Sequence, residues 1–128
     1  LEEKVKYWIE LSDYDFVTAK AMLDTKRYLY VGFMCHQTVE KLLKAYYTKT
    51  KNETPPFAHS LLYLSKKSGI MDLLTEELKD TLDVLEPLNI ESRYPTYKER
   101  LFKSLTQERC FEIISKTDLF RQWIKKML

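Results

Sequence analysis

The chain has 128 residues, with 21 Lys+Arg against 19 Asp+Glu, a length that supports one domain over residues 1–128 with its own hydrophobic core. Its 45% hydrophobic and 31% charged residues describe a globular sequence rather than a disordered one. Two Gly and four Pro are too few for the turns of an all-β sandwich or barrel, and Gly32 and Gly69 alone cannot write a Rossmann or P-loop fingerprint.

The first element spans residues 3–24, where Val5, Trp8, Ile9, Phe16, Ala19, Met22 and Leu23 recur at helical steps. Asp15 falls within that apolar stripe, and a carboxylate there demands a partner. The opening LEEKVKYW is acidic and amphipathic, unlike a signal peptide, and its start at Leu1 without Met suggests a trimmed chain. A second helix is expected over 27–50, with Tyr28, Val31, Cys35, Val39, Leu42, Ala45 and Tyr46 as its apolar stripe. Beside that stripe runs a polar edge of Gln37, Glu40, Lys41 and Lys44, whose simplest reading is a solvated helix face. Pro55 and Pro56 end the helix in a loop.

Residues 58–68 form a short third helix stopped by Gly69, and 75–90 a fourth that Pro87 kinks or shortens. Residues 92–105 lose periodicity around Pro95 and read as an ordered loop holding at most a short helical turn; 106–127 is the last helix, with Thr106 as N-cap. The fold class is therefore all-α, an up-and-down bundle of four main helices plus a short extra one. Cys35 and Cys110 sit in apolar helical contexts and form no CxxC pair, which predicts reduced, buried thiols and a cytoplasmic protein. The apolar run 29–35 is too short to cross a bilayer, so no membrane association is expected.

Charge is arranged in blocks. Residues 1–24 carry −3, 25–51 +5, 70–91 −6 and 92–128 +5. Either the blocks complement one another within the bundle, or the basic ones make a face for a polyanion. HExxH, GxSxG and zinc-spaced His/Cys sets are missing, and neither His36 nor His59 follows a Glu at the spacing of di-iron bundles. No metal or other cofactor is expected. His59 lies near the start of the third helix. Its simplest role is packing and capping; its functional alternative is proton transfer. In 92–105, Arg93, Lys98, Arg100 and Lys103 interleave with Tyr94, Tyr97 and Phe102, a pattern suited to single-stranded RNA or a nucleotide and also to a solvated basic loop. The 13% aromatic content is more than four helices readily bury and points to an interface between copies.

WIELSDYDFVTAKAMLD, YLYVGFMCHQTVEKLLKAYY, AHSLLYL and ESRYP, in that order, resemble the HEPN family (higher eukaryotes and prokaryotes nucleotide-binding). The resemblance spans nearly the whole chain. It implies a helical bundle that forms a two-fold homodimer, pairs with a small nucleotidyltransferase as a toxin–antitoxin module, and in many members cleaves RNA without metal. The ribonuclease signature is an Arg and a His separated by four to six residues. Arg93 matches the Arg, but Lys98, Glu99 and Arg100 stand where the His belongs, so the signature is broken. Asp15 matches the family's first-helix acid, and Gln37, Glu40, Lys41 and Lys44 its second-helix motif. His59, Arg93 and Tyr94 match its third-element His and Arg-Tyr-Pro turn.

Three functions follow as expectations. In a binding module for a nucleotide or single-stranded RNA, Lys41, Lys44, Arg93 and Arg100 contact phosphate and Tyr94 or Tyr97 stacks on a base. In a divergent ribonuclease, Arg93 stabilises the phosphate and His59 moves the proton, with Glu40 or Asp15 orienting them and Gln37 in the same network. In a partner-docking protein, Asp15, Glu40 and Arg93 are a buried ion network that holds the bundle.

Overall fold

The structure, a computed structural model, describes residues 1–90 and 94–128. Six α-helices follow in order: α1 Glu2–Asp24, α2 Tyr28–Lys51, α3 Leu61–Ser68, α4 Glu76–Leu85, α5 Pro95–Ser104 and α6 Gln107–Lys125. Among the described residues there is no strand, so the all-α bundle anticipated from the helical periodicity is the fold.

The 24-residue α2 is the axis of the bundle. Its apolar stripe of Val31, Cys35, Val39 and Leu42 is fully buried because other helices cover it on several sides. α2 returns along α1 after a turn in which Lys26 takes a left-handed conformation (φ 61°). Ser12 Oγ donates to the Thr38 carbonyl at 2.8 Å, fixing the depth at which the two helices lie. α6 packs on α2 through Cys110, Ile113, Phe120 and Ile124, and α3 and α4 close the far side with Leu61, Leu64, Leu82 and Leu85. The charge blocks meet inside this arrangement. Lys116 of α6 pairs with Asp80 of α4 at 2.7 Å, Arg121 of α6 with Asp13 of α1 at 3.1 Å, and Lys41 of α2 with Asp15 of α1.

Both cysteines are unpaired and buried, and burial pushes Cys35 up to about 12 and Cys110 to about 11, so neither thiol ionises near neutrality.

Three boundaries differ from the sequence expectation, each for a local reason. The third helix begins at Leu61 rather than residue 58, because Ser60 caps it by accepting from Tyr63 N–H at 3.1 Å; His59 stands just outside. The fourth ends at Leu85, after which Pro87 sits in a 3₁₀ turn, Glu86–Leu88. This turn lies close against α2: a Cβ on Gly32 would meet Leu88 Cδ1 at 3.1 Å. Finally, 95–104 is a ten-residue helix rather than a loop. Pro95 does not interrupt it but opens it, at a position where a missing N–H costs nothing and φ is already helical. None of its residues is fully buried, and Leu101 packs half-buried against the core.

Candidate functional site

The polar edge of α2 is not a solvated face. Glu40 and Lys44 are buried, and Gln37 and Lys41 are half-buried. A buried carboxylate must be matched by donors. Glu40 has two hydrogen-bonded partners and a third basic ring nearby that makes no hydrogen bond to it. Lys44 Nζ donates to Oε2 at 3.1 Å, one helical turn on. His59 Nδ1 lies 3.2 Å from Oε1 and 3.3 Å from Oε2. His36 Nδ1, one turn back, stands 3.8 Å from Oε1.

The two histidines differ sharply. His36 is 1% exposed, whereas the side chain of His59 is 67% exposed. Burial pushes the His36 pKa down, and the Glu40 and Glu86 carboxylates offset this only in part, so its ring is neutral at pH 7. His59 is held from one side only. An ionised Glu40 can only accept, so His59 Nδ1 carries the hydrogen and Nε2 is the ring nitrogen left to exchange a proton or meet a ligand.

The segment that carries His59 is fixed by its neighbours. Ser60 Oγ donates to Glu86 Oε1 at 2.5 Å, and the Leu61 N–H donates to Glu86 Oε2 at 2.7 Å. Glu86 therefore ties the start of α3 to the 3₁₀ turn that rests on α2. Sequence reasoning did not single out Glu86; its position just before a proline and its fit to the N-terminus of α3 were hidden in tertiary contact.

Tyr97 of α5 reaches the same turn, its hydroxyl donating to the Pro87 carbonyl at 3.3 Å, and Arg100 lies over the Tyr97 ring at 5.7 Å. Tyr94 caps α5 and is 85% exposed. His59, Tyr94, Tyr97 and Arg100 thus come from segments that converge on Glu86–Leu88. Arg93 lies outside the described residues, as does the remainder of the Arg-Tyr-Pro match before Tyr94.

Asp15 is separate. It pairs with Lys41 between α1 and α2. Lys44 is drawn inward, with its Nζ 5.5 Å over the Trp8 ring as well as on Glu40. The expected single network of Asp15, Glu40 and Arg93 is, among the described residues, two adjacent ion sets on neighbouring rows of α2. The contacts of Lys44 place it within the packing, while Arg100 is exposed. Among the described residues no group of three or more His, Cys, Asp or Glu is placed to hold a metal ion, and no helix is long and apolar enough to cross a membrane.

No curated protein matches the chain. Among solved structures, the crystal structure of TT1696 from Thermus thermophilus superposes with a TM-score of 0.80 at 21% identity, covering 98% of each chain. That likeness establishes a shared fold. The family model of the HEPN domain matches residues 5–127, taking in both ion sets, the His59 segment and all six helices. A motif order read along the chain, a helical bundle and a near full-length family match agree, and the chain belongs to the HEPN family.

Proposed function

We propose that this HEPN domain binds a nucleotide or single-stranded RNA at the edge where His59, Tyr94, Tyr97 and Arg100 converge, acting as a homodimer that pairs with a small nucleotidyltransferase in a toxin–antitoxin module. The observation that carries the reading is His59, oriented from behind by buried Glu40 and otherwise open to solvent. In its imidazolium form, a ring held this way donates Nε2–H to a phosphate oxygen. Arg100 and Arg93 supply charge, and Tyr94 supplies a ring for stacking. Pairing with another chain is supported by α1, where Tyr7, Tyr14 and Val17 are exposed at helical spacing on one face.

A second reading is favoured by the same dyad. A histidine oriented by a carboxylate is the arrangement that moves protons near neutral pH. In a divergent ribonuclease, His59 would take the part of the His missing from the family signature, and Arg93 would stabilise charge on the phosphate.

The test is incubation with a mixed RNA pool without added metal, at low and moderate salt, beside His59→Ala and Arg93→Ala. Binding that weakens with salt and falls in both variants is expected. Cleavage lost in both variants selects the ribonuclease. A wild-type protein that neither binds nor cleaves any nucleotide or RNA ends both readings and leaves partner docking.

A further inference from the structure

Phe57 is the most exposed large apolar side chain among the described residues, at 103% relative exposure. An exposed aromatic ring on a loose loop signifies little. This ring stands on a segment that is fastened along its length. Glu53 accepts from the Tyr47 hydroxyl at 2.7 Å, and Pro55 is buried. The Ala58 N–H donates to the Pro56 carbonyl at 2.8 Å, a tight turn centred on Phe57 itself. His59 is then held by Glu40, and Ser60 and Leu61 by Glu86. Two consecutive prolines restrict the approach further. The chain has already lost its freedom here, so a ligand meeting the ring incurs little ordering cost.

The ring also stands two residues from a polar anchor. Phe57 and His59 are two residues apart, so their Cα atoms lie within roughly 7 Å. A flat apolar ring two residues from an imidazole that can carry Nε2–H suits a molecule that has a planar ring joined to an anion. Lys66 and Lys67 on α3 are exposed and add positive charge beyond the anchor. We propose that Phe57 is the stacking platform for an unpaired nucleobase whose phosphate lies against His59. This deepens the nucleotide reading above and rests on it.

The test titrates a fluorescein-labelled single-stranded RNA against wild type, Phe57→Ala and Phe57→Trp, with dimerisation followed by light scattering. Because Phe57 is fully exposed, both variants should melt as wild type does. Phe57→Ala should weaken binding roughly ten- to hundredfold, the range of one lost base–aromatic stack, by the same factor at low and high salt. Phe57→Trp should restore binding, and its added indole emission should be quenched by the RNA. If wild type binds RNA and Phe57→Ala binds it equally well, the platform is wrong while the nucleotide reading stands. If Phe57→Ala instead turns a dimer into a monomer with RNA affinity unchanged, the ring belongs to an interface between copies and the proposal is overturned. If wild type binds no RNA, the nucleotide reading itself fails and the platform fails with it.

Discussion

Two charged clusters in this bundle are built in opposite senses. Between α1 and α6, the carboxylate is the open member: Asp13 has a side chain 43% exposed, and it receives Arg121 at 16% and Lys125 at 33%. Arg121 also pairs with Asp118 at 2.6 Å and lies 4.1 Å from the centre of the Phe16 ring. On α2, the carboxylate is the closed member. Glu40 is 4% exposed, Lys44 is 9%, and the most exposed partner is His59 at 67%. The first cluster draws cations down onto the protein and fastens two helices. The second uses a buried acid to hold one ring out into solvent. An ion network that directs its exposed end outward is a candidate site; one that directs its groups inward is a clamp.

The largest expected effect tests the buried end. Glu40→Ala leaves the Lys44 ammonium buried without its carboxylate, which should cost about 3–5 kcal/mol of stability in a urea melt. Glu40→Gln retains an acceptor and should lose less. A loss under about 1 kcal/mol for Glu40→Ala would show that Lys44 escapes to water and that the network is looser than its geometry implies.

The clamp should be worth less per residue. Arg121→Ala removes a partly screened ion pair and a ring contact, together roughly 1–2 kcal/mol. Arg121→Lys should not recover this, because an ammonium cannot bridge Asp13 and Asp118 while stacking on Phe16. Asp13 adds an acid limit. Burial works to raise its pKa, but Lys125 and Arg121 outweigh that and hold it below the usual 3.8. Its contribution is present above that value and is lost as pH falls through the lowered pKa.

How far these clusters could be read in advance depends on what sets each position. Asp15 on an apolar stripe announces a buried ion pair, and Thr106 and Gly69 mark helix ends because capping is local chemistry. Pro95 misleads, since a proline that breaks a helix and one that starts it look alike until the preceding residue's conformation is known. His59 and Glu40 were legible as candidates and their pairing as one of several arrangements, but the choice of Glu40 over Asp15 was not, because nineteen residues and a loop separate His59 from Glu40. The exposure of Phe57 and the role of Glu86 could not be read at all: one depends on what the fold leaves uncovered and the other on a tertiary hydrogen bond.

A smaller effect tests the buried histidine by pH. His36 has its pKa held below the ordinary 6.5 by burial against the pull of Glu40 and Glu86. Above that value the ring is neutral in both states and its ionisation leaves stability unchanged. As pH falls below about 6.5, the unfolded chain takes up a proton that the folded chain resists, and stability drops toward the folded pKa. Below about pH 6.5, His36→Asn should show a shallower decline than wild type in chemical melts. Equal slopes would assign the decline to other groups.

The smallest stability effect carries the most functional weight. His59→Ala removes an exposed ring and leaves Glu40 its Lys44 partner, so unfolding should change by no more than about 0.5 kcal/mol. RNA binding or cleavage should nevertheless fall, and Glu40→Gln should lower it too, because an amide orients the imidazole more weakly than a carboxylate does. The double variant should be no worse than His59→Ala alone, since Glu40 can act on the ligand only through the ring it holds. If His59→Ala destabilises the bundle as Glu40→Ala does, the outward end of this network is as structural as Asp13 and its partners. The contrast between clamp and site would then disappear.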